Sequence, residues 1–443
     1  MEIKRILIAN RGEIALRALR TIKEMGKEAI CIYSTADKDA LYLKYADASI
    51  CVGDPRSSES YLNIPNIISA AEISESDAIF PGYGFLSENQ NFVEICEKHN
   101  LKFIGPSVEA MNLMSDKSKA KQMMQRAGVP VIPGSDGALK GVEAAKKLAK
   151  EIGYPIILKA AAGGGGRGMR VVNDESEIEK SYWSAESEAM AAFGDGTMYM
   201  EKYIQNPRHI EVQIIGDSFG NVIHIGERDC SMQRRHQKLI EESPAVLLDN
   251  NTRSRLYDTA IKAAKAINYE GAGTFEFLVD KNLDFYFIEM NTRLQVEHCV
   301  SEMISGMDII EQMIKVAEGY ALPSQDSIKL KGHSIECRIT AEDPNSFTPC
   351  PGKLSTYIAP AGRNVRMESH CYQGYSVPPY YDSMIGKLVV WAEDRNRAIA
   401  KMKVALDELI VGGIKTTKEF HIKMMNNKDF ILNNYDTNYL SRH

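Results

Sequence analysis

One stretch restricts this chain more than any other: Gly271 to His298, GAGTFEFLVDKNLDFYFIEMNTRLQVEH. It reads as two strands joined by a short polar connection. Phe275, Phe277 and Val279 alternate with Glu276, Leu278 and Asp280, and Phe285, Phe287, Glu289 and Asn291 alternate with Tyr286, Ile288 and Met290. Successive strand side chains point to opposite faces, so Glu289 and Asn291 share one. With Lys281, Asn282, Leu283 and Asp284 as the connection, Asp280 pairs with Phe285, and counting back sets Glu276 opposite Glu289. Like charges paired in this way destabilise a sheet. A divalent cation between them reverses the sign of that effect. Two carboxylates and an amide oxygen are hard ligands, suited to Mg2+ bridging phosphates. The plainer alternative is a solvated hairpin face with two unrelated acids. The density of Arg293, Gln295, Glu297 and His298 just downstream favours a site.

At 443 residues the chain has length for about three domains of roughly 150 residues. Arg5 to Ala9, a helix from Ile14 to Met25 ended by Gly26, and Ala29 to Tyr33 make a strand–helix–strand unit with a parallel sheet. Ala78 to Phe80 and Lys102 to Ile104 are expected to continue it, closing a first domain over 1–114. No GxGxxG occurs, which weakens a dinucleotide reading. The loops Asn10–Glu13 and Pro81–Asn89 follow strands, where open α/β sheets place ligands, although Pro and Gly also make ordinary turns.

Asp116 to Ala127 is expected to be helical, as is the neighbourhood of Gly141 to Ile152. Tyr154 to Val172 reads as strand, glycine loop, strand. It is not a Walker loop, since no Gly-Lys-Ser/Thr follows, but amides in Gly163–Gly166 are free to close over phosphates, with Lys159 as a nearby cation. The alternative is a flexible hairpin tip. Thr197 to Ile204 is a strand, and His209, Glu211 and Gln213 share a face of the next; His209 is either structural or a ligand contact. The run Glu227 to Lys238 reads as a loop between strands. It holds Arg228, Arg234, Arg235, His236 and Lys238, which serve either an anion site or internal ion pairs. Beyond Lys329 strands predominate: Ser334 to Thr340, Lys353 to Ile358 and Gly386 to Trp391, then a helix Arg397 to Leu409. Arg338 is either a surface ion pair or a fixed fork for an oxyanion. The divisions are 1–114, 115–330 and 331–443.

The net charge of −6 argues against a general nucleic-acid or acidic-membrane binder. Eight scattered cysteines form no CxxC, which fits reduced thiols in the cytoplasm. The opening apolar run is too short for a signal peptide, and none approaches the roughly 18 residues of a membrane helix.

The motifs IANRGEIA, FPGYGFLSEN, KAAAGGGGRGM, RDCSMQRRHQK and FIEMNTRLQVEH together resemble the biotin carboxylase component of biotin-dependent carboxylases, within the ATP-grasp superfamily. The resemblance covers essentially the whole chain. It implies an α/β and α+β chain: an ATP-grasp fold with an N-terminal Rossmann-like parallel-sheet domain, a lid over 131–203 and a small C-terminal α+β domain. It implies that Lys117, Lys159, Gly164, Gly165, Gly166, Arg167, Gly168, Met169, Glu201, Lys202, Tyr203, Ile204, His209, Gln233, His236 and Leu278 bind ATP. Glu276, Glu289 and Asn291 would hold Mg2+ or Mn2+, as two ions. Lys238, Arg293, Gln295 and Val296 would hold bicarbonate, Glu297 would be the base, Arg338 would face biotin, and Tyr83 would lie on the biotin side. One departure is Cys299, where the family usually has proline; this is expected to loosen the turn after the catalytic strand while removing no reacting group.

The implied activity is ATP- and bicarbonate-dependent carboxylation of biotin through carboxyphosphate. No Ala-Met-Lys-Met type biotinylation segment occurs, so the biotin is expected on a separate carrier protein, alongside carboxyltransferase subunits. The chain is also expected to leave no room for an acyl-transferring domain. A homodimer is implied, with acetyl-CoA carboxylase as first parent complex and a two-subunit pyruvate carboxylase as second. A different ATP-grasp ligase would share the lysines and glycine loop but has no need of Arg338 or QVEH in this form. A non-catalytic scaffold has no use for Glu276, Glu289, Asn291, Glu297 and Arg338 together. Bicarbonate-dependent ATP hydrolysis stimulated by free biotin separates the three.

Overall fold

The structure, a computed structural model, describes residues 2–160 and 168–442, apart from the side chains of Lys117 and Phe193. Strands Arg5–Ile8 (β1), Glu28–Ser34 (β2), Ala48–Gly53 (β3), Ala78–Phe80 (β4) and Lys102–Phe103 (β5) form a parallel sheet in the order β3-β2-β1-β4-β5. Both faces are covered. Ile6 and Ile8 pack into one core with Ile14, Leu16, Leu19 and Ile22 of the helix Gly12–Glu24, while Leu7, Ile30 and Ile79 pack into another. That two-sided burial is why these strands read as short unbroken apolar runs.

Strands Ile156–Ala160 (β6), Met169–Val172 (β7) and Met198–Lys202 (β8) form an antiparallel sheet in the order β7-β6-β8. The helices Val142–Ile152 and Ile178–Phe193 back it, and Val142, Ala145, Leu158, Ala185, Met198 and Met200 give this body its own core.

The largest sheet is assembled from Arg208–Gly216 (β9), Val222–Arg234 (β10), Gln237–Ser243 (β11), Gly271–Val279 (β12), Phe285–Asn291 (β13), His333–Thr340 (β14), Val365–Glu368 (β15) and Met384–Ala392 (β16). Among the described residues its order is β13-β12-β9-β10-β11-β14-β16-β15, antiparallel throughout. It runs without a break past residue 330, because β11 pairs with β14 from Ile240 opposite Cys337 to Ser243 opposite Ser334.

Two local expectations are corrected. The basic run Glu227 to Lys238 is a hairpin of β10 and β11, not a loop. Arg235 and His236 make its two-residue turn with φ of 49° and 66°, a left-handed geometry usually advertised by Asn or Gly. The expected strand Lys353 to Ile358 is two pieces. Gly352–Lys353 pairs with Ser376–Val377, Thr356–Ile358 pairs with Ile410–Gly412, and Leu354 between them is buried. Among the described residues no helix is long and apolar enough to cross a membrane.

Candidate functional site

The hairpin β12–β13 places Glu276 directly opposite Glu289, as the sequence requires, but by another route. Val279, not Asp280, pairs with Phe285, and Phe277 pairs with Phe287. A bulge between those pairs and Glu276–Glu289 leaves Ile288 as the extra residue. Strict alternation would put Phe287 beside Glu289. With the bulge, Phe285, Phe287 and Met290 enter the core against Phe275 and Phe277, and Glu289 and Asn291 turn to the other face. The connection closes through Asp280, whose Oδ1 accepts from the amides of Asn282 and Asp284, with Leu283 at φ 64°.

Beside that face Lys238 reaches in from β11. Its Nζ donates to Glu211 at 2.5 Å, Glu297 at 2.6 Å, Glu276 at 2.9 Å and Gln295 at 3.3 Å. Burial opposes its charge, yet Glu211, Glu276 and Glu297 outweigh that and hold its pKa well above the ordinary lysine value. Arg228, fully buried on β10, donates to Glu211 at 2.5 Å, Gln213 at 2.7 Å and Gln295 at 3.3 Å. Arg338 on β14 gives Nε to Glu241 at 2.6 Å and Nη2 to Glu297 at 3.0 Å. Glu297 therefore sits between two cations. Burial disfavours its charge, but Lys238, then Arg338 and Arg228, keep its carboxyl far below the usual range.

Glu276 is held the same way, against burial, by Lys238 and His209, whose Nε2 lies 3.0 Å away. Its Oε1 also accepts from Asn291 at 2.9 Å and Gln295 at 2.8 Å. Ligand atoms of His209, Glu211 and Glu276 fall within 4.8 Å of one another, but the Lys238 ammonium already lies among those carboxylates. The face of Glu276, Glu289 and Asn291 is the one that fits a divalent cation: its oxygens come from paired strands and are hard donors. Asn291 turns Nδ2 to Glu276 and Oδ1 to Arg293, so reversing its amide would present the oxygen.

A second group lies on the smaller sheet. Glu201 accepts from Lys159 at 2.5 Å and Lys121 at 3.1 Å, and these cations hold its carboxyl low against burial. Lys202 donates to the carbonyls of Gly153 and Tyr154 at 3.1 and 2.8 Å. The amide of Tyr203 is bonded to Pro155 and Ile204 is buried. Gly168, at φ 70°, sits where a Cβ would come within 2.7 Å of Ala160, and exposed Met169 follows it. Gly164, Gly165, Gly166 and Arg167 lie outside the described residues, as does the side chain of Lys117. The segment before this body joins the two groups: Phe287 N bonds Pro130 O at 2.8 Å, and Lys202 N bonds Pro133 O at 2.7 Å. Leu278 pairs with His209 across β12 and β9, and Gln233 is buried opposite Lys238. His236 is exposed at the hairpin turn.

A cavity of about 550 Å³ opens beside the cluster, lined by Tyr83, Lys238, Arg293, Val296 and Arg338 among others. The Tyr83 hydroxyl donates to Glu13. Arg293 is held by Glu88 at 2.9 Å and Asn291 at 3.0 Å, and the Val296 carbonyl accepts from fully buried Lys387 at 2.7 Å. Cys299 is buried in the first turn of the helix His298–Ser305, where an amide has no intrahelical acceptor. Sequence reasoning missed Lys121, Glu241 and Lys387 as members of the site, and it marked the loop Pro81–Asn89 without singling out Glu88. Glu211 was placed on the His209 face without a role, and Arg228 fills the internal-ion-pair alternative through Glu211. Lys387 carries no local signal.

Three family models match: "Biotin carboxylase, N-terminal domain" over 2–111, "Carbamoyl-phosphate synthase L chain, ATP binding domain" over 116–325 and "Biotin carboxylase C-terminal domain" over 336–442. The chain is 54% identical over 442 residues to biotin carboxylase of Nostoc, covering 99% of each. It is 49% identical over 441 residues to a pyruvate carboxylase subunit of Methanothermobacter thermautotrophicus, covering 99% of this chain and 90% of that one. A solved biotin carboxylase–β,γ-ATP complex from Campylobacter jejuni is 87% identical with a TM-score of 0.92, over 100% of this chain and 99% of that chain. The biotin carboxylase domain dimer of Hydrogenobacter thermophilus 2-oxoglutarate carboxylase, with MgADP, ADP and bicarbonate, is 48% identical with a TM-score of 0.89, over 100% and 98%.

Proposed function

The chain belongs to the biotin carboxylase family, and from that premise we propose that it carboxylates biotin on a separate carrier protein, using ATP and bicarbonate. One observation carries the reading: Glu297 stands 2.6 Å from Lys238 and 3.0 Å from Arg338, beside both a cavity and the Glu276–Glu289–Asn291 face. Lys238, Arg293, Gln295 and the Val296 backbone hold bicarbonate. Lys159, Glu201 and Lys202, with Tyr203, Ile204, His209, Leu278 and Gln233, hold the nucleotide, and 131–203 closes over it. Glu276, Glu289 and Asn291 hold Mg2+ or Mn2+, which supplies neutralisation of phosphate charge when bound.

In the free site Lys238 and Arg338 make Glu297 a weak base. A bicarbonate that takes hydrogen bonds from those cations loosens their hold, so the substrate itself raises the basicity needed to remove its proton. The bicarbonate oxygen then attacks the γ-phosphorus as the bond to ADP breaks, giving carboxyphosphate. Its breakdown gives CO2 and phosphate, and the phosphate takes the proton from the biotin ureido nitrogen. Arg338 stabilises the resulting ureido anion, which attacks CO2. Exclusion of water protects the intermediate.

Glu297→Gln tests the assignment. Nucleotide binding is expected to persist by calorimetry while carboxylation of free biotin falls by about 10²-fold or more; parent-like turnover would sink it. For the parent complex we favour acetyl-CoA carboxylase in the cytoplasm, the chain acting as a homodimer with a biotin carrier and carboxyltransferase subunits. A two-subunit pyruvate carboxylase is second, favoured by the 49% identity to the Methanothermobacter pyruvate carboxylase chain. Recovery of the biotinylated partner on the tagged chain decides between them by which carboxyltransferase accompanies it.

A further inference from the structure

Behind Arg338 two carboxyls meet face to face. Glu241 on β11 is directly opposite Glu336 on β14, and both are fully buried. Among the described residues, Glu241 Oε2 and both Glu336 oxygens have no hydrogen-bond partner. Glu241 Oε1 is engaged by Arg338 Nε at 2.6 Å. Like charges directly opposed in a dry sheet cannot both ionise. The charged groups that face the pair are Arg338 on its own strand, Lys238 on β11, Glu297 after β13 and Lys387 on β16. Burial pushes Glu241 up to about 7, with Glu297 adding to the shift against the pull of Arg338 and Lys238. Burial also pushes Glu336 well above the ordinary carboxyl value, beyond what Lys387 and Arg338 recover. Arg338 decides how one proton is shared: it bonds Glu241, so Glu241 carries the charge and Glu336 the proton.

We propose that Glu241 and Glu336 form a one-proton carboxyl pair that positions Arg338. Glu336 stays protonated so that Glu241 can stay charged, and charged Glu241 holds the guanidinium with its other edge toward Glu297 and the cavity. Neither carboxyl is a catalytic residue; both act through Arg338. The inference rests on the carboxylation reading above.

The test is the pH dependence of kcat/KM for free biotin, at saturating ATP and bicarbonate, in the parent, Glu241→Gln and Glu336→Gln. As pH falls through about 7, Glu241 takes up its proton and Arg338 loses its anchor, so the parent's kcat/KM for biotin falls on the acid side. Glu336→Gln keeps the neutral donor that protonated Glu336 already presents to Glu241, so its acid limb stays within about half a pH unit of the parent's. Glutamine at 241 removes the limb and lowers kcat/KM for biotin about tenfold, leaving KM for ATP within about twofold. A Glu336→Gln limb that drops by about one pH unit or more shows that Glu336 was ionised and overturns the proposal, as does a Glu241→Gln loss shared equally by ATP. Should Glu241→Gln fail to fold by circular dichroism, the Glu336→Gln limb decides alone. A parent with no biotin-stimulated ATP hydrolysis would instead sink the carboxylation reading, which keeps the two failures apart.

Discussion

Lys238 is the side chain on which the charge balance of the site turns. Methionine there keeps most of the stem's volume and removes the cation, leaving Glu211, Glu276 and Glu297 buried around an apolar atom. Breaking a buried pair in this way costs about 3–5 kcal/mol, so Lys238→Met is expected to lower the urea midpoint sharply as well as abolish carboxylation. The pH response has a definite sign. Glu276 and Glu297 have pKa values depressed in the fold, chiefly by Lys238 against burial, so their stabilisation is present above the unfolded carboxylate pKa and drains away as pH falls below it. Lys238→Met should flatten that acid dependence; urea midpoints equal to the parent's at neutral pH, with the same acid slope, would refute the account. At this scale motif density made Lys238, Glu276 and Glu297 legible in the sequence. Glu88 was marked only as part of the loop Pro81–Asn89, because its hold on Arg293 joins residues 205 positions apart and leaves no periodic trace.

At the scale of the element, the β12–β13 hairpin shows both what pattern delivers and where it stops. The alternation of Phe275, Phe277 and Val279 predicts the core face correctly, since alternate side chains of a strand share a face and these three enter one apolar core. The register reached Glu276 opposite Glu289 from a starting pair that is one residue off, and only the bulge at Ile288 reconciles the two. Alternation cannot announce a bulge, because an extra residue costs no composition and merely reverses phase. Deleting Ile288 therefore gives a regular ladder with Glu289 still facing Glu276, while deleting Met290 turns Asn291 into the core opposite Phe275. Mn2+ binding in the presence of nucleotide, read by paramagnetic resonance, is expected to survive the first deletion within about tenfold and to vanish in the second. Loss of both fold and metal binding on deleting Ile288 would show the bulge to be indispensable rather than compensating.

Across the whole molecule the site is a meeting place of segments that the sequence keeps far apart, and one buried cation ties three of them. Composition and hydrophobic pattern suggest a change of domain near residue 330, yet the largest sheet continues through it, and Lys387 on β16 reaches back toward the catalytic loop. Its Nζ donates to the Val296 carbonyl at 2.7 Å and pairs with Glu13 of the first sheet's domain at 3.2 Å. A fully buried lysine with two such partners fixes where Glu297 stands, since Val296 is its neighbour. Lys387→Met removes the cation paired with buried Glu13, leaving it the Tyr83 hydroxyl, at about 3–5 kcal/mol, and frees the loop. Adding Glu13→Gln removes the stranded charge without restoring the donor to Val296. The two effects should then separate: the double variant regains much of the lost urea midpoint but not the lost turnover, and nucleotide affinity, which we propose rests on the β6–β8 body and the hairpin, stays near the parent's in both. Turnover recovering in step with stability would mean that Lys387 only holds the fold together and does not place the base.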